Sequence, residues 1–327
     1  MKVPDYIRGS IAPTFTVFKD DGALDDAGQR RFMDFLFERG AISAFFVRSG
    51  MGQMYAFDKE DVKRIARNVC PHMKGKAPVL IGCSGIWDRN YDKRPDPDVY
   101  LSDAIELSRY AADLGADGVV HTMPEALLPR DGESVDDLIM RYFTAVCEAV
   151  PEAPVLIYQA PNTREEYCVT QERIARLADL DNLVGMKVSS VNGHYIFDLI
   201  RAVRGKTFGF IVGAETVFYA GLVAGARACI GQGAALNPQI IQAVLDRFLE
   251  GDIEGAAQAQ EDVNELVNIC PNAVDFMKRY ATEHGCAVGL HARSAGGNPY
   301  MKDRVLMSDA DYLAYKARYD ELLERYL

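Results

Sequence analysis

The sequence predicts an α/β fold, a closed (β/α)8 TIM barrel with a small C-terminal helical domain, and three observations carry that expectation. A phrase of helix, Gly-Ala and short apolar strand recurs as Gly40-Ala-Ile-Ser-Ala-Phe-Phe-Val47, Gly115-Ala-Asp-Gly-Val-Val120 and Gly225-Ala-Arg-Ala-Cys-Ile230. Glycine after a helix takes the left-handed cap conformation, and a strand apolar on both faces suits a parallel sheet covered by helices. Filling the intervals gives eight candidate strands, near 10–16, 43–48, 78–83, 117–122, 154–159, 183–188, 208–213 and 227–231. Amphipathic stretches lie between them, for example 25–39, 59–69, 99–114, 135–149 and 171–177. Eight alternations over roughly 240 residues favour a closed barrel over a doubly wound sheet. A Rossmann unit would place a Gly-rich turn directly after the first strand, and none is there.

Past Pro238 the pattern turns purely helical, at 239–249, 253–270, 273–284 and 310–326, which places the barrel in residues 1–249 and a helical domain in 250–327. The segment 289–299, rich in Gly, Ser and Asn, reads as a loop inside that domain. At 327 residues the chain is long enough for a barrel of typical size and this extra piece. Hydrophobic residues make up 49% and charged residues 25%, the balance of an ordinary globular chain. The net charge of -11, with no local Lys/Arg cluster, argues against a nucleic-acid partner.

Seven cysteines, an odd number, are scattered with no C-x-x-C spacing, so neither a disulfide framework nor a zinc knuckle is expected. No H-E-x-x-H, paired-carboxylate or Walker spacing points to a metal or a nucleotide. No apolar run approaches a membrane span, and residues 1–8 lack a long apolar core. The expected address is a reducing cytoplasm, with no membrane partner.

Chemistry is expected where loops follow strands, at the C-terminal face of the barrel. Lys187 is the only charge in the apolar run Asn182-Leu-Val-Gly-Met-Lys-Val188. A desolvated lysine sheds its proton readily, and the neutral amine can attack a carbonyl to form a Schiff base. Tyr158 ends the neighbouring strand, Pro154-Val-Leu-Ile-Tyr158, where a phenol can move protons to and from such an adduct. Ser49-Gly-Met-Gly-Gln53 follows the second strand, and its Gly50 and Met51 N–H groups are candidates to hold a carboxylate. Gly231-Gln-Gly233 follows the eighth strand, where phosphate-binding barrels often cradle their ligand. His121 ends the fourth strand, and a lone histidine there is more often packed than a ligand. Two long connections, 85–98 and 123–132, stand over the same face, and the first holds the only tryptophan, Trp87.

These residues resemble the pyruvate-dependent class I aldolases, the family of dihydrodipicolinate synthase and N-acetylneuraminate lyase. The anchors are Tyr158-Gln-Ala-Pro161, similar to the family's Tyr-Asn-x-Pro, and Gly185-Met-Lys187, similar to its Gly-Ile-Lys, with Gly213-Ala-Glu215 and the phrase ending at Gly231 in matching places. The resemblance implies an imine between Lys187 and a 2-oxo acid, proton relay by Tyr158, no cofactor beyond that covalent imine, and a homo-oligomer, commonly a tetramer. It also implies substrate binding by Ser49, Gly50, Met51, Gly213 and Gly231, and puts Glu125, Thr163 and Arg164, with Trp87 and Arg94, on loops that would set the substrate's tail.

The chain departs from the pattern at three places. The family's Gly-Thr-Thr-Gly-Glu is Ser49-Gly-Met-Gly-Gln53, which removes a relay hydroxyl from the turn's centre. The synthase's Pro-Tyr-Tyr is Pro124-Glu-Ala126, and its Gly-Arg is Asn162-Thr163, with Arg164 one position on. The expectation is a divergent member other than dihydrodipicolinate synthase, an aldolase or dehydratase acting on pyruvate or on a sugar-derived or aromatic 2-oxo acid. The alternatives are a 2-oxo-acid-binding protein with impaired catalysis, and a barrel that binds a phosphate at Gly231-Gln-Gly233.

Overall fold

Eight short parallel strands close on themselves in sequence order, each neighbouring the next and β8 pairing back to β1. They are β1 (Gly9–Pro13), β2 (Ala44–Val47), β3 (Val79–Gly82), β4 (Gly118–Thr122), β5 (Val155–Gln159), β6 (Leu183–Val188), β7 (Gly209–Val212) and β8 (Ala228–Cys229). The structure is a computed structural model that describes residues 1–293 and 306–327. The barrel is the architecture expected from the recurring phrase, and Gly40, Gly115 and Gly225 stand at φ of 79°, 82° and 117° where the helices end.

The helices start where the side-chain chemistry says they should. Asp25 accepts from the Gly28 N–H to cap α1 (Asp26–Glu38), and Asp58 accepts from Asp61 to cap α2 (Lys59–Met73). Asp96, with Pro97 at the first helical position, opens α3 (Pro97–Asp113), and Ser134 with Asp137 forms a capping box for α4 (Val135–Ala149). Shorter helices follow as α5 (Gln171–Leu177), α6 (Gly193–Ala202), α7 (Phe218–Ala224) and α8 (Gly233–Leu236). Beyond them run α9 (Pro238–Glu250), α10 (Ile253–Ile269), α11 (Ala273–Glu283) and α12 (Asp309–Leu323).

Alternation along the strands divides the core in two. Ile11, Phe46, Leu80, Val120, Leu156, Val184 and Ile211 fill the barrel, while Phe45, Val47, Val119, Ile157 and Met186 pack outward against the helices. In the C-terminal region α11 and α12 meet around Phe276, whose ring lies 4.5 Å from Tyr315 and 4.9 Å from Tyr319. The loop expected at 289–299 lies partly outside the described residues; its first five residues form no regular element. No helix among the described residues is long and apolar enough to cross a membrane.

His121 is packed, as a lone strand-end histidine usually is. It faces the helix layer between Ser108 Oγ and Tyr142 OH, each at 2.9 Å. Burial, helped by the Arg48 charge, pushes it down to about 3, so it stays neutral.

Candidate active site

Lys187 sits in a strand buried along its whole length, directly across from Tyr158 on β5 and Ile211 on β7. Its Nζ lies 4.1 Å from the centroid of the Tyr158 ring, and Phe46 meets the other side of that ring edge-on at 5.9 Å. Burial outweighs the opposing influence of Cys229 and Glu215 and brings the ammonium down to about 7. The side chain is therefore a nucleophilic amine in a large fraction of molecules at neutral pH.

A cavity of about 470 Å³ opens at Lys187. Its wall comes from residues that follow the strands, Gly50 and Met51 after β2, Pro161 and Asn162 after β5, and Ser189 after β6 among them, with Val267 contributed by α10. This is the C-terminal face, where barrel enzymes carry out their chemistry.

The turn after β2 is held from behind. Arg48, buried and at φ 53°, donates to the carbonyls of Gly82 (3.0 Å), Ser84 (2.9 Å) and Met54 (3.3 Å). Ser49 Oγ accepts from the Gly52 N–H at 3.1 Å and lies 3.3 Å from the Thr14 carbonyl, so its hydroxyl is spent inside the turn and Ser49 does not line the cavity. Gly50 and Met51 do line it, and among the described residues neither of their N–H groups has an acceptor. They are positioned to receive a carboxylate.

Past β7 the structure brings in a residue the sequence reading passes over. From Gly213-Ala-Glu215 that reading takes only the glycine; the carboxylate of Glu215 faces the same cavity as Lys187. The Gly233 N–H donates to Glu215 Oε1 at 2.8 Å, and Gln260 Nε2 on α10 donates to its backbone carbonyl at 2.9 Å. A Cβ at position 231 would stand 1.7 Å from Glu215 Oε2, so the close approach of this carboxylate requires Gly231. Gly213 is required for a similar reason, since a Cβ there would stand 2.6 Å from the Val188 carbonyl oxygen and 2.7 Å from Ser189 Oγ. Burial raises the pKa of Glu215, opposed by the Gly233 N–H and by the Lys187 charge. The phosphate expected as one alternative at Gly231-Gln-Gly233 meets this acid instead, because the peptide donor there already serves Glu215.

Three of the residues expected to touch the substrate's tail do not line this cavity. Glu125 is buried and accepts from Tyr91 OH (2.7 Å), the Arg164 N–H (2.9 Å) and Arg89 Nη2 (3.4 Å). Arg89 also donates to the carbonyls of Pro161 (3.2 Å) and Asn162 (2.7 Å). Thr163 Oγ1 donates to the Ala160 carbonyl at 2.8 Å, and the Arg164 guanidinium lies 3.8 Å from the Tyr91 ring centroid. Arg94 donates to the Glu125 carbonyl and faces the rings of Tyr91 and Trp87. Glu125 thus ties the loops after β3, β4 and β5 into one clasp, and Glu125, Thr163 and Arg164 are not among the cavity-lining residues.

A closed parallel barrel with a reactive amine on its inner face defines an enzyme of the class I lyase type. The chain belongs to the Dihydrodipicolinate synthetase family, whose profile matches residues 6–295. It is 29% identical over 289 residues to the putative 2-dehydro-3-deoxy-D-gluconate aldolase YagE of Escherichia coli, covering 84% of this chain and 89% of that protein. It is 28% identical over 252 residues to the 4-hydroxy-tetrahydrodipicolinate synthase of Thermus thermophilus, covering 77% of each. Among solved structures, the Ruminococcus gnavus sialic acid aldolase superposes with a TM-score of 0.82 at 19% identity, over 99% of this chain and 100% of that one. The pyruvate complex of YagE from E. coli superposes with a TM-score of 0.77 at 23% identity, over 98% and 99%. At these identities the superpositions speak to the fold.

Proposed function

We propose that the protein is a Schiff-base aldolase or dehydratase acting on a 2-oxo acid whose tail is sugar-derived. The observation that carries this reading is the buried Lys187 amine, held down to about 7, opening into a cavity of about 470 Å³. That volume exceeds what the three carbons of pyruvate need. The tail end of the wall bears Ser190, Glu215, Gln232 and Asn162, and the Ser189 hydroxyl is buried there without a partner among the described residues. Groups of this kind suit a hydroxylated tail better than an aromatic one, because a buried polar atom left unpaired costs about 1–3 kcal/mol.

The proposed reaction follows from these positions. The C1 carboxylate binds the N–H groups of Gly50 and Met51, and the neutral Lys187 amine attacks C2. Tyr158 transfers a proton to the departing hydroxyl as water leaves and the iminium forms. The iminium accepts the electron pair of the C3–C4 bond as the C4 hydroxyl gives its proton to the Tyr158 phenolate left by the previous step, releasing an aldehyde. The enamine that remains takes a proton at C3, and water then releases the shortened 2-oxo acid and returns the amine. Dehydration uses the same iminium, with loss of a C3 proton and then of a hydroxyl from C4.

Trapping tests the reading. Incubation with pyruvate and borohydride should add the mass of a reduced pyruvate imine to the peptide containing Lys187. An intact protein that gives no adduct with pyruvate or any longer 2-oxo acid would sink the proposal. An adduct without turnover of any hydroxylated 2-oxo acid would leave a binding protein in its place.

A further inference from the structure

We propose that Glu215 restricts the substrate to a single anionic group, the C1 carboxylate, and that the tail reaching the β7–β8 side of the cavity must be neutral. This rests on the Schiff-base reading above and extends it to the class of substrate.

The distribution of charge along the wall carries the inference. Lys187 and Glu215 are the only ionisable side chains that line the cavity among the described residues. Imine formation fixes the first at the substrate's C2 as an iminium, which leaves the acid as the one charged lining side chain, among the described residues, that faces the far part of a bound tail. Among the described residues no cationic side chain other than Lys187 lines the cavity to balance a second carboxylate or a phosphate. Arg89 reaches Pro161 and Asn162, but its guanidinium bonds their carbonyls and Glu125, and Arg89 is not among the residues that line the cavity. The peptide donor that would otherwise meet an anion after β8, the Gly233 N–H, is bonded to Glu215 Oε1 at 2.8 Å. Gly231 lets the same carboxylate stand against the backbone, where a side chain would displace it. A second anion entering this end meets the Glu215 carboxylate and, among the described residues, no cationic side chain in the wall beside it, a juxtaposition that discriminates strongly between partners. Neutral hydroxyl groups meet the Glu215 carboxylate as an acceptor, beside a Ser189 hydroxyl that has no partner among the described residues.

The experiment uses a pair of acids matched in length, 2-oxopentanoate and 2-oxoglutarate, which differ at the far end by a methyl and a carboxylate. Each is titrated against the intact protein with borohydride, and the concentration for half-maximal labelling of Lys187 is read by mass. The expected result is labelling by 2-oxopentanoate at a concentration at least about 30-fold lower than by 2-oxoglutarate. In Glu215→Gln the ratio should fall to within about threefold, chiefly through improved labelling by 2-oxoglutarate, and Glu215→Asp should retain the discrimination. Equal labelling of the wild type by both acids overturns the proposal. So does an unchanged ratio in a folded Glu215→Gln, or labelling by pyruvate but by neither five-carbon acid. Failure of pyruvate itself to label is a different result, which removes the Schiff-base reading and not this one alone.

Discussion

On the β6–β8 side of the mouth, Lys187, Ser189 and Glu215 line the cavity, and the buried Ser189 Oγ has no partner among the described residues. On the β3–β5 side, Arg89, Tyr91, Glu125 and Arg164 are bonded or stacked to one another, none of them lines the cavity, and Pro161 and Asn162 stand between them and it. Polar groups with unused bonding capacity are available to a ligand, whereas saturated ones serve as scaffold. The comparison also separates two kinds of buried charge. Arg89 and Glu125 are paired, while Lys187 escapes the cost of burial by giving up its proton.

The largest effect expected from breaking this contrast is at Lys187. Lys187→Met should lower kcat/KM by at least about 10⁴-fold and abolish borohydride labelling, since no other lysine among the described residues lines the cavity. The same change should stabilise the fold. A lysine held at about 7 when folded and at its ordinary 10.5 when unfolded charges the folded state about 3 kcal/mol at pH 8, and methionine removes that penalty. Urea unfolding of both proteins at pH 8 checks this; a less stable Lys187→Met would show that the lysine was never held at a cost.

Second in size is the clasp. Glu125→Ala leaves the buried Arg89 guanidinium without its carboxylate and should destabilise by about 3–5 kcal/mol. Labelling of Lys187 by pyruvate in the folded fraction should change by less than about threefold, because Glu125 does not line the cavity. Arg89→Met combined with Glu125→Met should recover much of the lost stability. A Glu125 variant that keeps its stability but loses pyruvate labelling would put that carboxylate in the cavity after all.

The two halves also differ in how far the sequence reveals them. A charge inside an apolar strand is a local anomaly, so Lys187 and its strand at 183–188 are legible from a seven-residue window, and Tyr158 follows once the strands are ordered. Strand β8, expected over 227–231, is regular only at Ala228 and Cys229; the Ile230 N–H still donates to the Val212 carbonyl at 2.9 Å, and the next residue, Gly231, passes against Glu215. Glu215 itself is not legible in this way. An acid after a strand reads as a solvated loop residue until the fold brings Gly231 and Gly233 against it. The clasp hides for the opposite reason: Glu125 looks like a binding residue at a strand end, and only Arg89 and Tyr91, from a connection far away in sequence, show that its carboxylate is already bonded.

The smallest expected effect concerns pH, and it tests whether Lys187 and Glu215 act as a pair. With the Lys187 ammonium at about 7, the neutral amine rises from roughly a tenth of molecules at pH 6 to roughly nine-tenths at pH 8. Initial rates of imine formation with pyruvate should therefore climb about ninefold over that interval and level off above it. Glu215 favours the charged form of the lysine, so Glu215→Gln should move the midpoint to lower pH and raise the rate at pH 6. Stability changes in the same direction as pH. Between about pH 7 and 10.5 the unfolded chain holds a proton on this lysine that the folded chain has released, so folding is favoured as pH rises through that window. In Lys187→Met that slope should disappear. A wild-type rate that stays flat from pH 6 to 8 would show that the amine is neutral or charged throughout, and that burial and Glu215 do not hold it near the balance point.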